Sequence, residues 1–235
     1  MDKNAKKHFV KSKFSAVTRR YDLLNSILSF GIDRSWRIHT AKTLLDLPPG
    51  PLLDLCAGTL PLSLVVTEYT GRPVWAIDFC LDMLLYGMAR IKATPQVRQI
   101  TLIQGDAEEI PARSRSFSGV TIAFGLRNLA NREKGLKEMF RVLKPGGVLA
   151  ILEFSRPTVK AFSSLYFFYL ENILPIIGGI ISGDKEAYQY LAQSIKEFPS
   201  PQAIAHLLSD VGFQDVSFRP MTMGIVHLYV GRRPD

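Results

Sequence analysis

The sequence predicts an α/β fold: a doubly wound, mostly parallel sheet of seven strands that ends in an antiparallel edge. Three observations lead there. Between Leu52 and Phe154, short apolar runs alternate with stretches of helical spacing. The runs are apolar throughout rather than at every second position, as strands covered on both faces are. The last two runs lie so close in sequence that they can pair only as antiparallel neighbours.

Taken in order, Phe14–Ser29 and Ser35–Leu47 read as two helices packed outside the sheet. Leu52–Cys56, Val74–Asp78, Ile100–Gln104, Gly119–Phe124 and Val148–Phe154 read as strands. Leu62–Tyr69, Leu81–Ile91 and Arg132–Leu143 are the helices between them, from their recurrence of apolar residues at three and four positions. Lys144-Pro145-Gly146-Gly147 reads as a helix stop and tight turn. Beyond Phe154 come a long aromatic stretch, helices over Asp184–Ile195 and Pro201–Val211, and strands over Gln214–Arg219 and Gly224–Val230. Residues 155–200 are expected to form a helical cover.

A length of 235 residues suits a single domain over residues 1–235, and no repeat or linker divides it. Two cysteines, Cys56 and Cys80, and four scattered histidines supply neither a disulfide framework nor a metal-ligand spacing, so no metal is expected. The charged N-terminus lacks the apolar segment of a secretory signal. Ala161–Ser182 is the longest apolar stretch, but Glu171, Asn172 and Pro175 interrupt it, which argues against a membrane span. A cytoplasmic protein is therefore expected. Much of the net charge of +8 sits near the start, where residues 1–13 read as a basic, flexible terminus. Attraction to anionic lipid is its alternative reading, with peripheral attachment at the inner face of the cell membrane. No aromatic-and-basic module follows, so nucleic acid is not expected as a partner.

The candidate site lies at the strand ends. The first strand runs into Cys56-Ala57-Gly58-Thr59, a small-residue turn at a helix start that lets backbone approach a nucleoside-type ligand. It lacks G-x-G-x-x-G, which disfavours a dinucleotide. Asp78 ends the second strand, where a carboxylate accepts from ribose hydroxyls or caps the next helix. Asp106-Ala107, after the third strand, either contacts an adenine or caps a solvated loop. Arg127 and Asn128 follow the fourth; Arg127 either stabilises an oxyanion or forms a surface ion pair, and Asn128 orients an oxygen or a turn. Glu153, in an otherwise apolar strand, is expected to anchor a neighbouring loop. The face formed by Phe162, Leu165, Tyr166, Phe168, Tyr169, Ile173 and Leu174, with Gly178-Gly179 beyond it, reads either as core or as an apolar lid.

Three stretches together resemble the ubiquinone/menaquinone biosynthesis C-methyltransferase family, within the class I S-adenosylmethionine-dependent methyltransferases. They are Tyr21-Asp22-Leu23-Leu24-Asn25 with Trp36; Phe124-Gly125-Leu126-Arg127-Asn128 with Arg141–Gly147 and Glu153-Phe154-Ser155; and Asp184 with Tyr188-Gln189-Tyr190-Leu191. The resemblance spans Phe14 to Gly231. It implies a Rossmann-like seven-stranded methyltransferase using S-adenosylmethionine and no metal. The cofactor would lie against Gly58, Thr59, Asp78, Asp106, Ala107 and Ala123, with Arg127 and Asn128 as the catalytic pair. Tyr21, Asn25, Tyr188 and Tyr190 would face the substrate, a reduced prenylated quinone precursor: demethylmenaquinol first, a ubiquinone precursor as the alternative. A non-catalytic quinone- or adenosyl-binding subunit is a further alternative. Partners implied beyond the substrate are a second copy of the chain or other quinone-biosynthesis enzymes.

The chain departs from the family in places. Cys56-Ala57-Gly58-Thr59-Leu60-Pro61 replaces the family's Ala-Gly-Gly-Thr-Gly-Asp, and Ala123 replaces a serine. Asp33 stands where the signature has a histidine, and Tyr229 where many members have one.

Overall fold

A computed structural model describes residues 31–235 apart from 158, 177, 178 and 180–184. The expected first helix, the basic residues 1–13, Tyr21, Asn25, Asp184 and Gly178 lie outside the described residues.

The seven strands are β1 (Leu52–Leu55), β2 (Val74–Asp78), β3 (Ile100–Gln104), β4 (Phe117–Ala123), β5 (Leu143–Phe154), β6 (Gln214–Met221) and β7 (Val226–Arg232). They lie side by side in the order β3-β2-β1-β4-β5-β7-β6. Strands β1 to β5 are mutually parallel. β7 runs antiparallel to both its neighbours, β5 and β6, so the reversed strand is inserted next to the edge and β6 forms the edge itself. The helices are α1 (Asp33–Lys42), α2 (Pro61–Thr70), α3 (Leu81–Ile91), α4 (Arg132–Val142), α5 (Lys160–Phe168), α6 (Lys185–Lys196) and α7 (Pro201–Val211).

Two apolar layers sandwich the sheet. One packs Leu53, Leu55, Ile122 and Ile151 against Leu136 and Met139 of α4 and Ile204 and Leu208 of α7. The other packs Leu52, Val74 and Ala76 against Ala41 of α1, Val65 of α2 and Leu84 of α3. Burial on both faces is why the strands read as unbroken apolar runs. Local signals end the helices where expected. Asn131 accepts from Lys134 N at 3.0 Å ahead of α4, and Ser200 accepts from Ala203 N at 3.2 Å ahead of α7. Pro61 opens α2 and left-handed Gly71 closes it.

Several boundaries differ from the sequence reading. α1 stops at Lys42 rather than Leu47, although Leu44 and Leu47 still bury against β1. β5 begins at Leu143, before the expected turn, because Leu143 pairs with Phe117. Gly146 donates to Arg233 O at 3.0 Å and Gly147 O accepts from Arg233 N at 2.8 Å, so the turn is carried as an irregularity of the strand. The aromatic stretch becomes α5 followed by one π-helical turn, Tyr169–Ile173. Its Tyr166, Leu170 and Leu174 pack against Tyr188, Ala192 and Ile195 of α6, while Leu165, Phe168 and Ile176 are exposed. The expected single face is thus divided, with Tyr166 and Leu174 in the core and Leu165 and Phe168 exposed. No helix among the described residues is long and apolar enough to cross a membrane.

Gly87 shows how tightly α3 is set against the first loop. A Cβ built there would lie 2.5 Å from Thr59 O and 2.8 Å from Thr59 Cα. These are backbone atoms and cannot rotate aside. Gly87→Ala is expected to lower the unfolding free energy by about 1–3 kcal/mol in urea denaturation, despite alanine's better helix propensity.

Candidate active site

The strand order reverses between β1 and β4, because the chain leaves β3 at one side and re-enters beside β1. Open α/β sheets hold ligands outside the carboxyl ends of their strands at such a point. A cleft opens there. Gly58, Thr59, Asp78, Asp106, Ala107, Ala123 and Asn128 all line it. The three loops expected to converge do so, joined by Ala123 and Asn128 from the fourth strand's end.

The loop after β1 is conformationally demanding. Cys56, Gly58 and Leu60 all adopt left-handed backbone, with φ of 53°, 54° and 69°. Gly58 takes that region freely; Cys56 and Leu60 do so at about 1–2 kcal/mol each. The fold holds them there. Ala57 N donates to Ile77 O at 3.1 Å, and Gly58 N donates to Asp78 Oδ2 at 2.8 Å. A Cβ on Gly125 would lie 2.5 Å from Cys56 Cβ, so the loop after β4 closes on the first loop with no room for a side chain.

Asp78 does two jobs. One oxygen takes Gly58 N, and the other accepts from Cys80 N at 2.8 Å at the entry to α3. Asp78 braces the turn into α3 without capping the helix, whose N-cap is Cys80, and the carboxylate borders the cleft. Burial pushes its pKa up, against the backbone donors that pull it down. Asp106 folds its own loop, accepting from Glu108 N at 2.8 Å. Glu108 then reaches across to the next loop, where its Oε1 accepts from Ala130 N at 2.6 Å and Asn131 N at 3.0 Å.

Arg127 and Asn128 divide between the cleft and the layer behind it. Asn128 lines the cleft; Arg127 does not, and is buried at 5% exposure. Arg127 Nη1 sits 2.7 Å from Glu153 Oε1 and also donates to Phe124 O, while its backbone N donates to Glu153 Oε2 at 3.0 Å. The surface ion pair weighed from sequence is therefore a fully buried one. Glu153 anchors this loop, as its place in an apolar strand implied. Asn128 Oδ1 accepts from Tyr190 Oη at 3.2 Å, and its Nδ2 donates to Phe124 O at 3.3 Å. Tyr190 thus reaches the cleft wall from the cover, and Tyr188 packs within the cover's own core.

Three residues of the site carried too little signal in the sequence. Asp54, within apolar β1, accepts from Ser63 Oγ at 2.6 Å and Thr121 Oγ1 at 2.9 Å, which ties β1 to α2 and β4. Burial pushes it up to about 6, against those hydroxyls. Arg37 enters the cleft from α1. Cys56, placed in the first turn from sequence but given no role there, borders the cleft, its pKa pushed well up by burial and by Asp78 and Asp54. Strand alternation could have flagged Asp54, since a charge in a strand buried on both faces needs partners.

Comparison with known proteins shows the family. Residues 1–233 match the model of the ubiE/COQ5 methyltransferase family. The chain belongs to this family. It is 41% identical over 226 residues to the ubiquinone/menaquinone biosynthesis C-methyltransferase UbiE of Geotalea daltonii, covering 95% of this chain and 96% of that protein. It is 41% identical over 222 residues to the demethylmenaquinone methyltransferase of Thermus thermophilus, covering 94% and 100%. Among solved structures, a SAM-dependent methyltransferase from Thermotoga maritima, described as a possible histamine N-methyltransferase, superposes with a TM-score of 0.65. That pair is 16% identical, covering 94% of this chain and 99% of the other. A Haemonchus contortus phosphoethanolamine N-methyltransferase 2 bound to S-adenosyl-L-methionine gives 0.63 at 15% identity, covering 85% and 52%. These two likenesses are of fold: a Rossmann-like methyltransferase sheet.

The family's glycine at position 60 can now be placed. Leu60 keeps the left-handed backbone that glycine would adopt, and its fully buried side chain joins the apolar layer with Val65 and Leu84. It is not among the residues lining the cleft. Burying a leucine contributes about 1.5–3 kcal/mol, enough to offset the strain.

Asp54 gives this family member a pH signature. Its folded pKa lies above the unfolded value near 3.8, so the folded state holds the proton more tightly. The associated stability is present below about pH 4 and is lost as pH rises through about 6, up to roughly 3 kcal/mol. Thermal melts from pH 4 to 7 should show Asp54→Asn gaining stability relative to the parent chain as pH rises. A constant difference across the range would refute this.

Proposed function

We propose that the chain transfers a methyl group from S-adenosylmethionine to a ring carbon of a reduced prenylated quinone precursor, with demethylmenaquinol as the first candidate. The single observation that carries this reading is the gathering of Thr59, Asp78, Asp106-Ala107 and Asn128 in one cleft. The names of the two relatives support the substrate class. A ubiquinone precursor is the second candidate, from the name of the Geotalea relative.

The cleft's chemistry fits such a donor. Asp54, Asp78, Asp106 and Glu108 border it, a surplus of acidic groups suited to a cation. The first loop's glycine holds a left-handed backbone, φ 54°, that a side chain would strain, and so presents bare backbone to the cleft. Gly58, Thr59, Asp78, Asp106, Ala107 and Ala123 would hold the nucleoside. When bound, S-adenosylmethionine supplies a methyl group on a positive sulfur that a carbon nucleophile can displace.

The quinone form is electron-poor, so the reduced ring is the nucleophile; loss of a phenolic proton to water strengthens the adjacent carbon, which gives up its own ring proton to water once methylated. Asn128 is fixed by Tyr190 and Phe124 O, and its amide meets the phenolic oxygen or a water beside it. Arg127 lies one layer behind. Its guanidinium is too basic to take a proton, and its charge, shared with Glu153, favours an anion nearby. α5, the π-helical turn after it and α6 act as the cover that excludes water. The exposed Leu165, Phe168 and Ile176 on the cover's outer face suit an isoprenoid tail or peripheral contact with a membrane.

Transfer of labelled methyl tests this directly. Label is expected on demethylmenaquinol but not on the oxidised quinone, and Asn128→Ala is expected to lower kcat by about 10–1000-fold with cofactor affinity little changed. Retained cofactor binding with no transfer to either reduced precursor would overturn the substrate class. No cofactor binding would favour an accessory subunit.

A further inference from the structure

Arg37 has no part in the reading above. It projects from α1 into the cleft and is buried at 5% exposure. Its Nη1 pairs with Asp33 one turn earlier, and its guanidinium carbon lies 5.6 Å from the centroid of the Phe124 ring. Its Nε is buried and has no hydrogen-bond partner among the described residues. A donor shut away from water and left unpaired is costly, and more so on a charged group. The side chain borders the cleft, so a ligand that seats there and draws the guanidinium toward it can bring the missing acceptor.

Position identifies the acceptor. Along the sheet the order is β3, β2, β1, β4. Asp106 follows β3 and Asp78 ends β2, whereas Arg37 lies against Phe124, which follows β4. Arg37 is therefore at the opposite end of the cleft from the loop that would take the adenine. It is also the one lysine or arginine among the described residues lining a cleft that is otherwise acidic. S-adenosylmethionine carries adenine and ribose at one end and an amino-acid carboxylate at the other. That carboxylate would be repelled by Asp54 and Asp78 without a cation beside it.

We propose that Arg37 binds the amino-acid carboxylate of the methyl donor through its guanidinium, making it the residue that selects donors possessing this group. The assignment rests on the reading of the cleft as the S-adenosylmethionine site. Asp33 holds the guanidinium from one side and the Phe124 face supports it from another, so the fork is oriented before ligand arrives.

Calorimetry with two probes separates the possibilities: S-adenosylhomocysteine, and its decarboxylated counterpart lacking only the carboxylate. The parent chain is expected to bind the first about 10–100-fold more tightly, the range of a charged hydrogen bond. Arg37→Met should remove that preference by weakening S-adenosylhomocysteine alone, and Arg37→Lys should keep part of it. Equal binding of both probes by the parent chain would overturn the proposal, even if Arg37→Met fails to fold. So would an Arg37→Met or Arg37→Lys variant that weakens both probes equally, since that is the mark of a counter-ion needed only for folding. A parent chain that binds neither probe would instead sink the cofactor reading on which the assignment stands.

Discussion

A carboxylate taken out of water must find donors, and this requirement builds the carboxyl end of the sheet. Asp54, Asp78, Glu108 and Glu153 lie at or just past the ends of different strands, and each is satisfied by a neighbouring segment. Asp54 joins β1 to β4 and α2. Asp78 holds the first loop, Glu108 holds the segment leading into α4, and Glu153 holds the backbone and side chain of Arg127. Hydrogen bonds to charged groups contribute about 1.5–3 kcal/mol each, and loss of one partner leaves a buried charge uncompensated. The loops are therefore fixed by groups that cannot relax without a large penalty. That rigidity lets strained residues such as Cys56 and Leu60 persist beside the cleft.

An aromatic layer continues this arrangement on the side of the cover. Phe124 and Phe154 stack with centroids 4.5 Å apart, and Trp36 meets both edge-on at 6.2 and 6.3 Å. Trp36 Nε1 donates to Thr222 Oγ1 at 2.9 Å, which fixes α1 over the ends of β5 and β7. Arg37 lies over the Phe124 ring and Arg127 over the Phe154 ring. Two arginines thus flank one aromatic stack, one opening to the cleft and the other turned inward to Glu153. The methyltransferase family fold places an acidic pocket on one side of this stack and a helical cover on the other. In the proposed reading, these are the donor side and the ring side of one reaction.

The strands, most helices and the convergence of loops were legible in the sequence for simple reasons. Burial on two faces produces unbroken apolar runs, and small residues mark the turns between them. Asp78 and Glu153 were legible because charge at the end of an apolar run is expensive. Their partners were not legible, because hydrogen bonds from Gly58 N and Arg127 depend on loops brought together from distant parts of the chain. Leu60 looked like the erosion of a glycine turn; only its left-handed backbone and its outward burial show that the cleft is not filled by it.

Sequence by itself determined the class of fold, the strand ends that matter and the family resemblance, since these follow from periodicity, turn chemistry and short motifs. Tertiary structure alone decided which side chains face the cleft. Arg127, prominent in its motif, is turned inward by Glu153, whereas Arg37, next to the motif's Trp36 but given no role from sequence, points into the cleft beside Phe124. The physical reason is that a charged side chain follows its counter-ion and its stacking partner, and both are set by packing between segments far apart in sequence.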